Sequence, residues 1–322
     1  MIRRRLGLGA AVTALAVPLS GCVTVHGERA LIPSVSRAEA AQVLAHFADR
    51  NTAAKRAFDE RIIASVEAGP LGTIDQAGMR AKHADAPGGN KSLTPLRFSD
   101  TRYAIPEQRG WPKFFVADTR TNRNGDARWL LAFRRDSPDA PWRADFLGVA
   151  APGQVPDLAT DKAGHAIPVP AAGTNLSVQP GKLSDAYAAY LGGASGGPEF
   201  AAGTATSALR QLHTAEQHGT NTVTQYADQG DSAGDFAPIA LRTRDGGALV
   251  FFGSRHQIRA TFRAGYQLDL DKDTQALTTG TPKTSITLSR VAQEVAEVPP
   301  RSAGGKVAVL SRLDGLVGAK GE

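Results

Sequence analysis

Cysteine is almost absent from this chain, which has one thiol, Cys22, in 322 residues. A single cysteine excludes an intramolecular disulfide and a cysteine-rich zinc site. Net charge is also low. The formal charge is +6, and it falls to about +3 if the first 21 residues, which carry three arginines, are removed. So small a positive excess argues against a dedicated nucleic-acid-binding protein.

The sequence also lacks the motifs of common cofactor sites. It has no glycine-rich phosphate loop, no quartet of regularly spaced metal ligands and no convincing pair of catalytic carboxylates. We therefore expect no metal and no cofactor. What the chain does have is apolar sequence for a core. Hydrophobic residues make up 42% and charged residues 21%, which excludes wholesale disorder.

Residues 1–21 have the three parts of an export signal. Three arginines (Arg3–Arg5) precede an apolar run from Leu6 to Val17, and small residues follow. The run of about 12 residues is too short to cross a hydrocarbon core, which needs about 20. This segment therefore fits a cleaved signal peptide better than a permanent membrane helix.

The end of this segment, Leu19-Ser20-Gly21-Cys22, resembles the lipobox of bacterial lipoproteins. The resemblance implies transfer of diacylglycerol to the Cys22 thiol and cleavage between Gly21 and Cys22. It also implies anchoring on the extracytoplasmic face of the cell membrane by acyl chains such as palmitate. The alternative is an ordinary secretory leader with a chance cysteine. The export route stays open, because Arg4-Arg5-Leu6-Gly7-Leu8 also loosely matches a twin-arginine signal.

The mature chain is predicted to consist of a tether, two folded domains and a linker. The tether spans residues 22–35, the first domain 36–150, the linker 151–181 and the second domain 182–322. The linker holds five prolines and few large apolar residues. That composition is typical of an interdomain connection.

In the first domain, Ser36 and Glu39 form a capping box that begins a helix. Apolar residues then recur every three or four positions, which predicts an amphipathic helix ending at Gly69-Pro70. A second short helix is predicted over 74–82. The spacing of apolar residues then changes to every second position, which predicts four strands: Leu96–Ile105, Lys113–Thr119, Ala127–Arg134 and Trp142–Val149.

The second domain repeats this order. Helices Ser184–Leu191 and Phe200–His218 precede six predicted strands, with a tight turn at Asp245-Gly246-Gly247. The strands are Thr222–Ala227, Pro238–Arg244, Ala248–Phe252, Arg255–Arg263, Thr284–Val298 and Lys306–Arg312.

Helices followed by antiparallel strands predict an α+β fold, with N-terminal helices packed on a curved antiparallel sheet in each domain. In element order, each domain is similar to the cystatin-like or nuclear-transport-factor-like cone. The chain resembles a family of actinobacterial lipoproteins. The resemblance is carried by the lipobox, by the two halves and by the sequence segments Ser65–Leu71 and Gly110–Phe115. That resemblance supports location and fold, and it transfers no catalytic residue.

Two Gly-x-Ser-x-Gly strings, around Ser195 and Ser232, suggest a serine nucleophile. A nucleophile elbow needs a strand before the serine and a helix after it. Ser195 follows a predicted helix, and Ser232 precedes a predicted strand, so both contexts are unsuitable.

Two further motifs suggest metals. His213, Glu216 and His218 lie close in sequence, but their spacing does not match a zinc-protease helix, and they suit a polar last turn. Asp269, Asp271 and Asp273 begin like a calcium loop, but the required glycine and glutamate are missing.

Arginines and tryptophans are the most prominent surface candidates. Alternation places Arg255, Arg259 and Arg263 on one strand face and His256 on the other. With Arg242 and Arg244, these arginines are a candidate site for binding anions through phosphate or carboxylate groups, and the alternative is a solvated sheet face. Trp111, Trp129 and Trp142 fall near the strands of the first domain. They suit either a pocket that includes Arg102 or Arg135, or the core.

The sequence thus favours a lipid-anchored extracytoplasmic binding or scaffolding protein. Its expected partners are the membrane, through Cys22, and an envelope polymer, a membrane protein or a small ligand. Nucleic acid is not expected. The alternative is an enzyme with an acid-base pocket inside a cone-shaped domain, and a serine hydrolase is a third hypothesis.

Overall fold

The computed structural model describes residues 30–322 of the chain. The predicted signal peptide, the lipidation site at Cys22 and most of the predicted tether lie outside this range. Within it, no helix combines the length and the apolar character needed to span a bilayer. The structure combines helices with mainly antiparallel sheets, so the predicted α+β class is confirmed.

The first helix, α1 (Arg37–Ala57), begins where the capping box predicts. The Ser36 hydroxyl accepts a hydrogen bond from the Glu39 backbone N–H at 3.1 Å, which satisfies one of the free donors of the first turn. Its predicted end is wrong. The helix stops at Phe58, which adopts a left-handed conformation with φ of 51°, and Asp59 then caps the short helix α2 (Glu60–Ala64).

Gly69-Pro70 begins helix α3 (Gly69–Asp85) instead of ending α1. Proline suits this place because the first turn of a helix needs no N–H from it. Gly69 has φ of +56°, and a Cβ there would lie 2.6 Å from the Asp235 carbonyl oxygen. Tertiary contact therefore requires the glycine.

The first half of the chain builds one four-stranded antiparallel sheet, in the order β2–β4–β5–β6, and a two-stranded ribbon, β1–β3. Its strands are β1 (Ile32–Pro33), β2 (Phe98–Ala104), β3 (Glu107–Gln108), β4 (Lys113–Thr121), β5 (Arg128–Arg135) and β6 (Arg143–Ala150). Alternate residues of β5, such as Leu131 and Phe133, pack with Phe47 of α1. The residues between them face the other way.

The second half begins with helix α4 (Pro180–Leu191), a π-helical turn (Thr204–Ala208) and helix α5 (Leu209–Ala215). The helix predicted over Phe200–His218 is therefore much shorter in the structure. Phe200 instead forms an isolated bridge with Val307.

The second sheet has the order β10–β12–β11–β9–β7, with β8 also paired to β9. Its elements are β7 (Thr222–Asp231), β8 (Ile239–Arg242), β9 (Ala248–Phe262), helix α6 (Lys272–Ala276), β10 (Thr278–Gly280), β11 (Ser285–Val298) and β12 (Ala308–Gly321). The two predicted strands Ala248–Phe252 and Arg255–Arg263 are one continuous strand, β9. The β10–β12 pair is parallel, so this sheet is not wholly antiparallel.

The two sheets pack face to face. A shared cluster combines Leu130 and Phe146 of the first sheet with Leu249, Phe251 and Val295 of the second. On the far side of the second sheet, Leu183 and Tyr187 of α4 pack on Phe252 and Val250. The layer order is therefore α1, first sheet, second sheet and α4, while α3 packs against strands of both sheets.

Strand β6 lies at the edge of the first sheet and meets the second sheet directly. The Leu147 N–H donates to Gln293 Oε1 at 2.7 Å, and the Val149 N–H donates to Ser311 Oγ at 2.9 Å. Between them, a Cβ on Gly148 would overlap a methyl carbon of Val295. Side chains of one sheet thus satisfy the free edge of the other.

Residues 151–181, the predicted linker, lie along both halves. Ala166 forms a bridge with Pro106, and Pro168 forms one with Leu241. The shared core and these bridges connect the halves closely, and the division into two domains stays a prediction.

Candidate functional site

A groove of about 510 Å³ lies where the two halves meet. It runs between the start of β4, the linker residues 168–171 and the segment before β8. Its apolar walls come largely from prolines and neighbouring apolar residues: Pro112, Phe114, Pro168, Val169, Pro170, Pro238 and Ile239. A mainly apolar lining that also holds a few polar groups is the usual composition of a small-molecule site.

Lys113 is the most unusual residue of this groove. It is the first residue of β4 and is only 4% exposed, and its Nζ lies 5.4 Å from the centroid of the Trp111 ring. Burial lowers the pKa of the Lys113 ammonium, and no charged neighbour opposes that effect. Within residues 30–322 this cation has no carboxylate partner. A lysine whose side chain is largely buried and whose charge has no carboxylate counter-ion favours an anionic ligand.

Arg134, a second cation of the groove wall, is by contrast fully engaged. Its Nε lies 2.8 Å from Asp145 Oδ2, and its Nη2 lies 2.9 Å from Asp235 Oδ1. Burial raises the pKa of Asp145 to about 7, against the opposing effect of the Arg134 charge. Arg134 therefore joins the two halves, whereas Lys113 and the exposed Arg109 line the groove without a carboxylate partner among the described residues.

A buried polar network lies on the face of the second sheet that also carries Phe252. Ser254 and His256 are two residues apart on β9 and share this face, and Asp228 is the cross-strand partner of His256 on β7. Ser254 Oγ lies 2.8 Å from His256 Nε2, and His256 Nδ1 lies 2.6 Å from Asp228 Oδ1. The order of contacts is that of a serine–histidine–aspartate triad.

Glu294 on β11 completes the network from the other side. Ser254 Oγ donates to Glu294 Oε1 at 2.9 Å, and Arg312 Nε lies 3.5 Å from the same oxygen. Burial raises the pKa of Glu294 to about 8, and the Arg312 charge opposes this rise. Ser254 has no exposed surface and Glu294 has 1%. The network is thus part of the core and does not open onto a groove.

Helix α4 packs over the strands that carry this network, and α5 brings His213 to its edge. The His213 ring stacks on Tyr226 with centroids 3.9 Å apart, and Tyr226 donates to Glu216 at 2.5 Å. His213 Nδ1 lies 3.9 Å from Asp228 Oδ2, and burial lowers the pKa of His213. His213 and Glu216 therefore both contact Tyr226, one through its ring and the other through its hydroxyl. His218 is exposed, and its backbone forms a bridge with Val223.

Neither serine of the Gly-x-Ser-x-Gly strings joins a histidine. Ser195 lies in the exposed loop after α4, and Ser232 Oγ donates to the Gly181 carbonyl at 3.2 Å. The serine that contacts a histidine is Ser254, which our sequence reasoning missed. The available signal was the Ser254-x-His256 spacing, because alternate residues of a strand share a face.

The acidic run at 269–273 has structural roles. Asp271 caps α6 by accepting hydrogen bonds from the Thr274 backbone and hydroxyl at 2.9 and 2.6 Å. Asp273 pairs with Lys82 of α3 at 2.6 Å. These contacts hold α6 against α3 and do not build a calcium loop.

The five predicted anion-binding arginines form two separate groups. Arg255 is exposed at the middle of β9, Arg259 is exposed further along it and Arg263 just after its end, whereas Arg242 is paired opposite Ala248 at its start. At about 3.3 Å per residue, β9 separates the centres of the groups by roughly 40 Å. The predicted alternation is confirmed, since His256 is buried between exposed neighbours.

Several of these arginines already have partners. Arg255 Nε lies 2.7 Å from Asp231 Oδ2, Arg259 lies 3.0 Å from Glu322, and Arg244 lies 3.9 Å from Asp157. Arg242 donates to the Gly246 carbonyl at 3.0 Å. Anion binding by this set stays a prediction.

The three tryptophans do not line one pocket. Trp129 is 7% exposed in the first core, and Trp142 packs edge-on against Phe115 and donates to Glu39 at 3.1 Å. Trp111 lies beneath the cations of Lys113 and Arg135. Arg102 is exposed on β2.

Comparison with known proteins places this architecture in a family. Residues 31–321 match the family model described as Domain of unknown function (DUF8094). A protein of Streptomyces coelicolor named an uncharacterized lipoprotein is 45% identical over 316 residues, 98% of this chain and 94% of the relative. An uncharacterized lipoprotein of Streptomyces avermitilis is 42% identical over 322 residues, 99% of this chain and 96% of the relative. No solved structure matches the chain significantly.

Proposed function

We propose that this chain, a member of the DUF8094 family, is a lipid-anchored binding protein on the extracytoplasmic face of the cell membrane. The anchor is supported by its Streptomyces relatives, which are named lipoproteins. The folded body takes up a small amphiphilic anion in the groove between its two halves. The single observation that carries the binding role is Lys113, a buried cation without a carboxylate partner among residues 30–322, at the wall of an apolar groove.

The anchor and the groove are close in the chain. Leu31, which is 52% exposed, lines the groove, and it lies nine positions after Cys22. Nine residues span at most roughly 30 Å. Lipidation of Cys22 would therefore keep this groove near the bilayer surface, where amphiphilic anions are concentrated.

The chemistry of the groove favours one orientation of such a ligand. Its anionic group lies beside Lys113, where a charge-assisted hydrogen bond replaces the missing partner. Its apolar part lies along the prolines of the linker and of the segment before β8, where contact with apolar walls contributes about 25 cal/mol per Å² buried. An uncharged analogue retains the second contribution and loses the first.

Calorimetric titration tests this proposal, with the chain from residue 23 onward, which retains every described residue. Octanoate is the probe and octanol its uncharged counterpart. Lys113→Met keeps the length of the side chain and removes its charge, and we expect it to weaken octanoate binding at least tenfold. The exposed Lys91→Met is the matched control, and it leaves binding unchanged. Equal octanoate affinities of Lys113→Met and the unmodified chain would contradict the proposal.

A second candidate is a serine hydrolase that acts through Ser254. The contacts of Ser254 with His256, and of His256 with Asp228, favour it. Because Ser254 is fully buried, this function requires the helices packed over the network, α4 as well as α5, to move away from the sheet. A fluorophosphonate probe decides the matter: the hydrolase predicts labelling that Ser254→Ala abolishes and Ser195→Ala preserves. Absence of labelling in folded protein excludes it.

A further inference from the structure

Three potential metal ligands meet where the linker contacts the first half. They are Glu107 of β3, Asp161 and His165, and one ligand atom from each lies within 4.8 Å of the other two. His165 Nδ1 lies 3.5 Å from Glu107 Oε1 and 3.5 Å from Asp161 Oδ2. Glu107 is far from the other two in sequence, which is why no spacing motif predicts the cluster.

The local fold of the linker orients Asp161 and His165. Asp161 Oδ1 accepts hydrogen bonds from the backbone N–H groups of Ala163 and His165, both at 2.9 Å. These two bonds fix the carboxylate across a tight turn and lower the pKa of Asp161. They also leave Oδ2 directed at His165 and free to bind a cation.

Glu107 is brought to this turn by the backbone. The Ala166 N–H donates to the Ile105 carbonyl at 3.1 Å, and Pro106 forms a parallel bridge with Ala166. Strand β3 is in turn paired with β1. The two segments that supply the ligands are therefore held together by main-chain contacts, independently of any metal.

The His165 ring is the most telling part of the cluster. Its Nδ1 atom is buried and has no hydrogen-bond partner among the described residues, although it faces two carboxylates. Both 3.5 Å separations are longer than the 2.7–3.2 Å of an ordinary N–H···O hydrogen bond. They suit instead ligands that share one ion, because donors about 2.1 Å from a common metal lie roughly 3–4 Å from each other.

We propose that Glu107, Asp161 and His165 form a divalent transition-metal site. One imidazole nitrogen with two carboxylate oxygens suits Zn²⁺, Mn²⁺ or Co²⁺, whereas Ca²⁺ and Mg²⁺ prefer oxygen ligands alone. Three protein ligands leave coordination positions open to water or another ligand. Glu107 also lines the groove, so the ion lies at its edge. The site does not depend on the groove ligand.

Metal titration of the chain from residue 23 onward tests this site directly. We expect one equivalent of Zn²⁺ to bind, and Co²⁺ to give a visible absorption band that Zn²⁺ displaces. His165→Ala removes the nitrogen ligand and weakens Zn²⁺ binding at least tenfold. His46→Ala, an exposed histidine of α1, is the matched control and leaves binding unchanged.

Two isosteric variants separate ligation from folding. Glu107→Gln and Asp161→Asn keep the shapes of their side chains, and the amide oxygen that Asp161→Asn introduces still accepts the two turn hydrogen bonds. Both are expected to weaken Zn²⁺ binding at least tenfold with an unchanged circular dichroism spectrum. Zn²⁺ also raises the unfolding midpoint of the unmodified chain, because it binds only the folded state. Failure of Zn²⁺ and Co²⁺ to bind, or equal Zn²⁺ affinity of His165→Ala, overturns the proposal.

Discussion

Arg134 in the first sheet and Asp235 in the second half form an ion pair, with 2.9 Å between Nη2 and Oδ1. The same guanidinium also neutralises Asp145, whose side chain is 2% exposed. One buried cation thus stabilises a carboxylate of its own sheet and contacts the opposite half of the chain.

Arg134→Met is expected to destabilise the protein by about 3–5 kcal/mol at pH 8, because it leaves the buried Asp145 carboxylate without a counter-charge. At pH 5 the loss is smaller, since Asp145, with a pKa of about 7, is then protonated. Asp235→Asn, at a half-exposed carboxylate, costs at most about 1 kcal/mol. Urea unfolding at both pH values measures these differences. A pH-independent loss for Arg134→Met would contradict this account.

Phe251→Ala tests whether the halves unfold together. Phe251 lies in the cluster that both sheets share, and its truncation is expected to cost about 3–5 kcal/mol. All three tryptophans lie in the first half, so their fluorescence reports on the half that the mutation does not alter. We expect fluorescence and circular dichroism to shift to the same lower midpoint. A fluorescence midpoint that stays in place would show that the halves are independent domains.

Glu294→Gln is expected to flatten the pH dependence of stability. The folded protein keeps the Glu294 proton up to pH about 8, whereas the unfolded chain releases it near the ordinary value of 4.5. Between these values the folded state binds more protons, so the free energy of unfolding falls as pH rises. Thermal unfolding from pH 5 to 9 measures the slope. Glu60→Gln, at an exposed carboxylate, serves as the control and is expected to keep the pH slope of the unmodified chain.

Cys22→Ala tests the anchor. Without the thiol no thioether to diacylglycerol can form, and two acyl chains are what gives stable attachment. The variant is expected to leave the detergent phase in a partitioning experiment or to retain its leader. Mass spectrometry of the native protein provides the complementary measurement. A free thiol and an unprocessed leader would contradict lipidation.

Local patterns predicted the elements that depend on local chemistry. Alternation along β9 placed His256 inside and Arg255 outside, because the two-residue period of a strand is independent of its partners. The end of α1 was missed since Phe58 adopts its left-handed conformation in packed surroundings that the sequence does not reveal. Gly69-Pro70 is compatible with either end of a helix, so the local sequence alone did not show that it begins α3.

The candidate sites depend on contacts between distant residues. Lys113 faces a groove that Pro168 and Pro238 complete, and His165 faces Glu107, which lies 58 positions earlier in the chain. Alternation could have paired Ser254 with His256 on one face. It could not have added Asp228 and Glu294, because the register between strands determines which side chains meet.

The contact between Gly148 and Val295 limits which residues relatives can carry at these two positions. The separation of the two sheets leaves no room for even one methyl group at position 148. A larger residue there is therefore compatible with the fold only where position 295 shrinks at the same time. Relatives in which positions 148 and 295 change together are expected to keep this contact between the sheets. Relatives in which only position 148 becomes larger are expected to have lost it.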